Sequence, residues 1–147
     1  MSGPPLSFGA AVDPPATAPS TSRLAAPWIA WYRRAFPAYF LFLFLVNHFP
    51  GLKLPKVPGD DKLAHATAFA LLAFLAWRFS EAFRPIRSPR FAPLLGIALM
   101  GYAAFDEWTQ QFVLRGTDIN DWFADIGGII VMVALLEAIR RWRAGRA

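Results

Sequence analysis

The sequence predicts an all-α fold, a polytopic membrane protein built as a bundle of four transmembrane helices. Three observations carry this. Of the 147 residues, 56% are hydrophobic and only 17% charged, against about 45–50% and about 25% in ordinary soluble domains. Four apolar stretches of helical length succeed one another between residues 28 and 139. These stretches are also apolar all round: residues 66–77 offer only Thr67 as a polar side chain, 126–136 offer none, and 36–46 offer only Tyr39. A soluble four-helix bundle, the competing arrangement, needs a polar face on each helix.

Residues 1–22 hold Pro4, Pro5, Pro14, Pro15 and Pro19 among Ser, Thr, Gly and Ala. Such a segment buries too little apolar surface to fold and reads as a disordered tail. It lacks the basic stretch followed by an apolar run that marks a secretory signal. The domain proper spans 23–143, and a short basic tail, 144–147, ends the chain. The first helix is expected at 28–48, with Trp28, Trp31 and Tyr32 as interfacial anchors and a dense run from Ala35 to Val46. Its phenylalanines read as lipid-facing bulk and His48 as an interface residue. The remaining helices are expected at 62–79, 91–113 and 121–139. At about 1.5 Å per residue they are roughly 27, 34 and 28 Å long, close to a hydrocarbon core of about 30 Å.

The net charge is +5, and its placement points to a membrane surface. Eleven of the fifteen Lys and Arg residues (Arg23, Arg33, Arg34, then the second connection and the C-terminus) fall on one side of the four stretches. The positive-inside rule then puts both termini in the cytoplasm. The expected partner is the lipid bilayer and not nucleic acid, because no aromatic–basic interleaving or nucleic-acid motif accompanies the charge. There is no cysteine, which excludes disulfides, thiolate metal sites and cysteine nucleophiles.

Acidic residues are distributed the opposite way. Asp60, Asp61, Asp106, Glu107, Asp118, Asp121 and Asp125, seven of the ten, fall at the other ends of helices two to four or in the loop between. Ionisable groups at membrane depth are expensive and usually face a cavity or each other. Their spacing puts them on shared faces. Asp61 and His65 lie one helical turn apart, and Tyr102, Asp106 and Gln110 recur every four residues. Asp118, Asp121, Asp125 and Gly128 form one stripe. This predicts a polar funnel floored by Asp106, with Lys62 and Arg115 as counter-charges.

Each residue has a structural reading beside the functional one. Asp61 serves equally as a helix-start residue or as an orienting carboxylate for His65. His65 lies inside its helix, which favours function. Asp106 with Gln110 facing inward is a candidate acid or base, or one half of a structural pair with Arg115, Lys62 or His65. Asp118 is explained by capping. Asp125 lies too far inside to cap. Gly127 and Gly128 are read as allowing close helix packing. Tyr102 reads as a packing aromatic rather than a proton donor.

The segments PGDDKLAHATAF (Pro58 to Phe69), YAAFDEWTQQF (Tyr102 to Phe112) and RGTDINDWFADIGG (Arg115 to Gly128) together resemble the VanZ-like family of small bacterial membrane proteins. Asp61, Lys62 and His65 match its Asp-Lys-x-x-His pattern. Asp106, Glu107 and Gln110 match its Asp-Glu pair with a following Gln. Arg115, Asp121, Asp125 and Gly128 match its loop Arg and the Asp, Asn and Gly beyond, with Asp125 standing where the family commonly has Asn. The family takes its name from a teicoplanin-resistance protein. The resemblance implies a protein of the bacterial cytoplasmic membrane with an outward-facing polar site and a link to the cell envelope and antibiotic resistance.

The candidate catalytic residues are therefore His65, Asp106 and Glu107. Asp61, Lys62, Gln110, Arg115, Asp121 and Asp125 are the candidate ligand-binding residues. The expected ligand is an envelope lipid, a lipid-linked cell-wall precursor or a glycopeptide. A proton-coupled or ion transporter and a non-catalytic interaction protein are the rival functions. One His with several carboxylates could hold a divalent metal. Without a second His at ligand spacing, the metal-free, cofactor-free reading is preferred. Serine catalysis is unsupported, because the three motif-bearing segments offer no serine.

Overall fold

The computed structural model describes residues 27–49, 61–113 and 118–146. They form four α-helices and no strand: α1 (Pro27–His48), α2 (Asp61–Glu81), α3 (Phe91–Gln110) and α4 (Ile119–Ala144), with a 3-10 turn at Gln111–Val113 after α3. The expectations for residues 1–22 and for Arg115 lie outside the described residues. α1, α2 and α4 are long and apolar enough to cross a membrane by length and composition. α3, of 20 residues, is about 30 Å long. Asp106, Glu107 and Gln110 lie near its end.

Helix limits differ from the hydropathy reading where local chemistry overrides it. α4 starts at Ile119 because the Asp118 side chain accepts from the Asn120 backbone N–H and caps it. It runs on to Ala144 because its last arginines are exposed, and cations near a helix C-terminus complement the dipole. α3 tightens into the 3-10 turn after Gln110, a common helix ending.

α2 and α4 make the most extensive contact, α1 packs on α2, and α3 packs mainly on α4. The buried face of α2 carries Phe69, Leu72, Ala73 and Ala76 at helical spacing, and it meets Ile129 and Val133 of α4 in one core. In lipid the apolar effect does not draw helices together, so close packing must, and small residues permit it. Gly128 is the clearest case. A Cβ there would run into the Ala66 carbonyl oxygen and lie 2.8 Å from its carbonyl carbon. Gly127, by contrast, is exposed with nothing within 4 Å of its would-be Cβ, so the packing role expected of it belongs to Gly128 alone. Outward, α3 and α4 present Leu94, Ile97, Ile130 and Val131, all exposed, as lipid-facing helices should.

The first helix is more than lipid-facing bulk. Leu43 and Val46 are buried, and Phe36, Tyr39 and Phe40 pack against the core. The Tyr39 hydroxyl donates to the Ala68 carbonyl at 3.1 Å. At the arginine-rich end, Arg33 Nη2 donates to the Ala82 carbonyl at 2.6 Å, tying the start of α1 to the end of α2.

Candidate functional site

The alternation of helix direction brings the ends of α1 and α3 together with the starts of α2 and α4. Asn47, His48, Lys62, His65, Asp106, Glu107, Gln110, Asp118, Asp121 and Asp125 thus share one end of the bundle.

Two centres organise this end. The first is Asp106, 1% exposed. Its Oδ2 accepts from Asn47 Nδ2 at 2.7 Å and from Gln110 Nε2 at 3.1 Å. Its Oδ1 faces the Tyr102 hydroxyl at 3.4 Å and His48 Nδ1 at 3.8 Å. Among the described residues Asp106 meets Asn47, Gln110, Tyr102 and His48 in place of the expected Lys62 or His65; the expected partner Arg115 lies outside the described residues. Tyr102 packs as expected, its ring 4.6 Å from that of Phe40, and its hydroxyl also points at the carboxylate. His48 is part of this centre, not merely an interface residue. Its Nδ1 lies 2.9 Å from the Phe44 carbonyl. A carbonyl only accepts, so Nδ1 carries a proton. Its Nε2 lies 2.7 Å from Thr109 Oγ1.

The second centre is His65. Its Nδ1 lies 3.1 Å from Asp125 Oδ1 and its Nε2 lies 3.7 Å from Asp121 Oδ2. Asp125 is 2% exposed, whereas the His65 side chain is 21% exposed. An ionised Asp125 accepts from Nδ1–H and leaves Nε2 as the basic nitrogen. That is the arrangement of an imidazole oriented by a carboxylate behind it, the geometry general acid–base chemistry requires.

Glu107 and Gln110 join the two centres. Gln110 Nε2 also approaches Glu107 Oε2 at 3.5 Å, and Glu107 Oε1 accepts from the Asp118 backbone N–H at 2.6 Å. Lys62 Nζ stands 3.7 Å from both Asp118 and Asp121; Lys62 and Asp118 are open to solvent, and Asp121 is largely covered. Asp118 lies outside the spanning segments. Its carboxyl is held below the usual range, chiefly by the backbone N–H of Asn120. Asp61 is exposed at the first position of α2.

Two grooves stand out among the described residues, and no member of the network lines either one. Among the described residues, no three His, Asp or Glu side chains converge as a metal ion would require.

Asn47, His48 and Thr109 were missed by the sequence reading. The available signal was the Asn-His pair that closes an otherwise apolar run. Its partner lies 59 residues away, and the recognisable motifs begin only after it.

A family model described as VanZ/LLP1 matches residues 24–140. No curated protein and no solved structure matches the chain. The family match runs through all four helices and takes in both centres, and the chain belongs to the VanZ/LLP1 family.

Proposed function

We propose that the chain is a multi-pass protein of the bacterial cytoplasmic membrane with both termini cytoplasmic. Its carboxylate–histidine network faces outward and binds the polar head of an envelope lipid or lipid-linked cell-wall precursor; a glycopeptide is the other ligand of suitable polarity. The charge distribution supports the orientation: most of the arginines gather at one end of the bundle and most of the carboxylates at the other. One observation carries the site: His65, backed by Asp125, is the partly exposed member of a network whose floor is the buried Asp106. In this reading His65 meets the ligand, assisted by Lys62, Asp121, Asp61 and Arg115. Asp106, Glu107 and Gln110 hold the shape and charge behind it. If a reaction follows binding, His65 is its acid or base.

A transporter fits less well. The middle of the bundle is closed by Leu72, Ala73, Leu99, Ile129 and Val133, all buried and apolar, so no polar path continues from Asp106 to the other end. A structural, non-catalytic network is the second reading. It is favoured by the internal hydrogen bonds that satisfy Asp106.

Native mass spectrometry of mildly extracted protein, with parallel elemental analysis, tests the proposal on wild type, Asp106→Asn and His65→Ala. A specific lipid or precursor retained by wild type and lost in both variants is the expected result. The same generic lipid spectrum in all three, with only thermal stability changed, would favour the structural reading.

A further inference from the structure

At the end of the bundle opposite the network, α2 and α4 enclose a groove of about 280 Å³. Phe74, Leu136 and Ile139 give it an apolar wall, and Arg78, Arg140 and Arg143 a cationic rim. We propose that this groove binds an anionic phospholipid, with the phosphate among the three guanidinium groups and an acyl chain along the apolar wall.

Charge accounting favours an anion. Glu81 is the one acidic residue lining the groove. It is engaged by Arg78 Nη1 at 2.7 Å and by the Trp77 indole N–H at 3.0 Å. Nearby Glu137 is shared by Arg140, through two bonds of 2.7 Å, and by Arg141 at 2.6 Å. The groove thus sets Arg78, Arg140 and Arg143 against one lining carboxylate, Glu81, while Glu137 beside it is divided between Arg140 and Arg141, so positive charge remains in excess. Arg78 is also pre-positioned. Its guanidinium lies 5.1 Å from the Tyr32 ring centre and 5.8 Å from that of Trp28. Its Nε is buried without a hydrogen-bond partner, so Glu81 does not exhaust its donors.

Guanidinium groups recognise phosphate oxygens through paired donors. Basic pockets between membrane helices, flanked by interfacial aromatics, suit anionic headgroups. A free phosphate would use the rim and leave the apolar wall bare; a phospholipid uses both. The proposal concerns the opposite end from the His65 network and does not depend on what that network binds.

The test titrates phosphatidylglycerol, phosphatidylethanolamine and inorganic phosphate into the full chain in nonionic detergent, read by native mass spectrometry. Wild type should retain phosphatidylglycerol about tenfold better than phosphatidylethanolamine, a difference that charge-assisted bidentate contacts can supply. Arg140→Gln with Arg143→Gln should remove that preference. Arg34→Gln with Arg87→Gln, the same charge change outside the groove, should keep it. Ile139→Trp fills the apolar wall with the arginines intact and should also weaken retention, which covers the case in which the double arginine variant does not fold. Equal retention of the two lipids by wild type would overturn the proposal. So would an equal loss in the control pair, or displacement of the lipid by equimolar phosphate.

Discussion

Replacing Gly128 by alanine adds one methyl group at the tightest point of the bundle. The new Cβ would lie 2.8 Å from the Ala66 carbonyl carbon and 3.0 Å from its Cα, where ordinary contact begins at 3.4 Å. The obstacle is backbone, so no rotamer change relieves it. The helices must separate by roughly 1 Å, and a gap of that order forfeits about a quarter to a half of the dispersion energy of facing atoms. Ala66 follows His65, and Asp125 lies one turn before Gly128. The same separation therefore stretches the 3.1 Å His65–Asp125 bond beyond hydrogen-bonding reach. Overpacking of this kind costs about 1–3 kcal/mol. Loss of a hydrogen bond to a charged group adds to it, and alanine's helix propensity returns about 0.5–1 kcal/mol.

Gly127 supplies the internal control, since alanine there meets open space and brings only the propensity gain. The propensity gain is common to both variants, so Gly128→Ala should be about 2.5–6 kcal/mol less stable than Gly127→Ala. Reversible unfolding in mixed detergent, followed by far-UV circular dichroism and tryptophan fluorescence, measures the gap. Adding Ala66→Gly to Gly128→Ala should not restore stability, because the carbonyl that collides remains. Equal stability of the two alanine variants, or rescue by Ala66→Gly, would refute the reasoning.

Two further outcomes follow from the same geometry. Asn47→Ala removes the 2.7 Å donor to Asp106 and should lower stability by about 1.5–3 kcal/mol, as expected for a hydrogen bond to a charged group. A double-mutant cycle with Asp106→Ala, which removes the acceptor, should return a coupling energy above about 0.5 kcal/mol, and an additive cycle would contradict the contact. Asp118→Ala should fray the first turn of α4, seen as faster amide exchange at 119–122, while Asp118→Asn keeps the turn. Because the Asp118 carboxyl is held below its usual range, its contribution is complete above that range and fades as pH falls through the lowered value. Asp118→Asn should remove that acid-side dependence.

Much of the candidate site was legible before the structure. Lys62, His65, Asp106, Gln110, Asp121 and Asp125 stand out because charged and amide groups are costly within membrane-length apolar stretches, and helical spacing alone sorts them onto faces. Asp118 was readable as a cap because capping is local, complete within three residues of chain. Asn47 and His48 were not legible. Each sits in sequence beside apolar neighbours, and what defines it is a carboxylate on another helix.

Sequence alone thus determined the class of solvent, the number of helices and the family. These depend on composition, run length and short motifs, which are properties of the chain in order. Tertiary structure decided which carboxylate pairs with which donor, that Asp106 is answered by Asn47 and Gln110 rather than by a cation among the described residues, and that Gly128, not Gly127, lets α2 and α4 touch. Such choices rest on contacts of 2.7 and 3.1 Å between residues 59 and 60 positions apart. A change of roughly 100° in the rotation of one helix would reassign them all, and hydropathy does not report that rotation when a helix is apolar on every side.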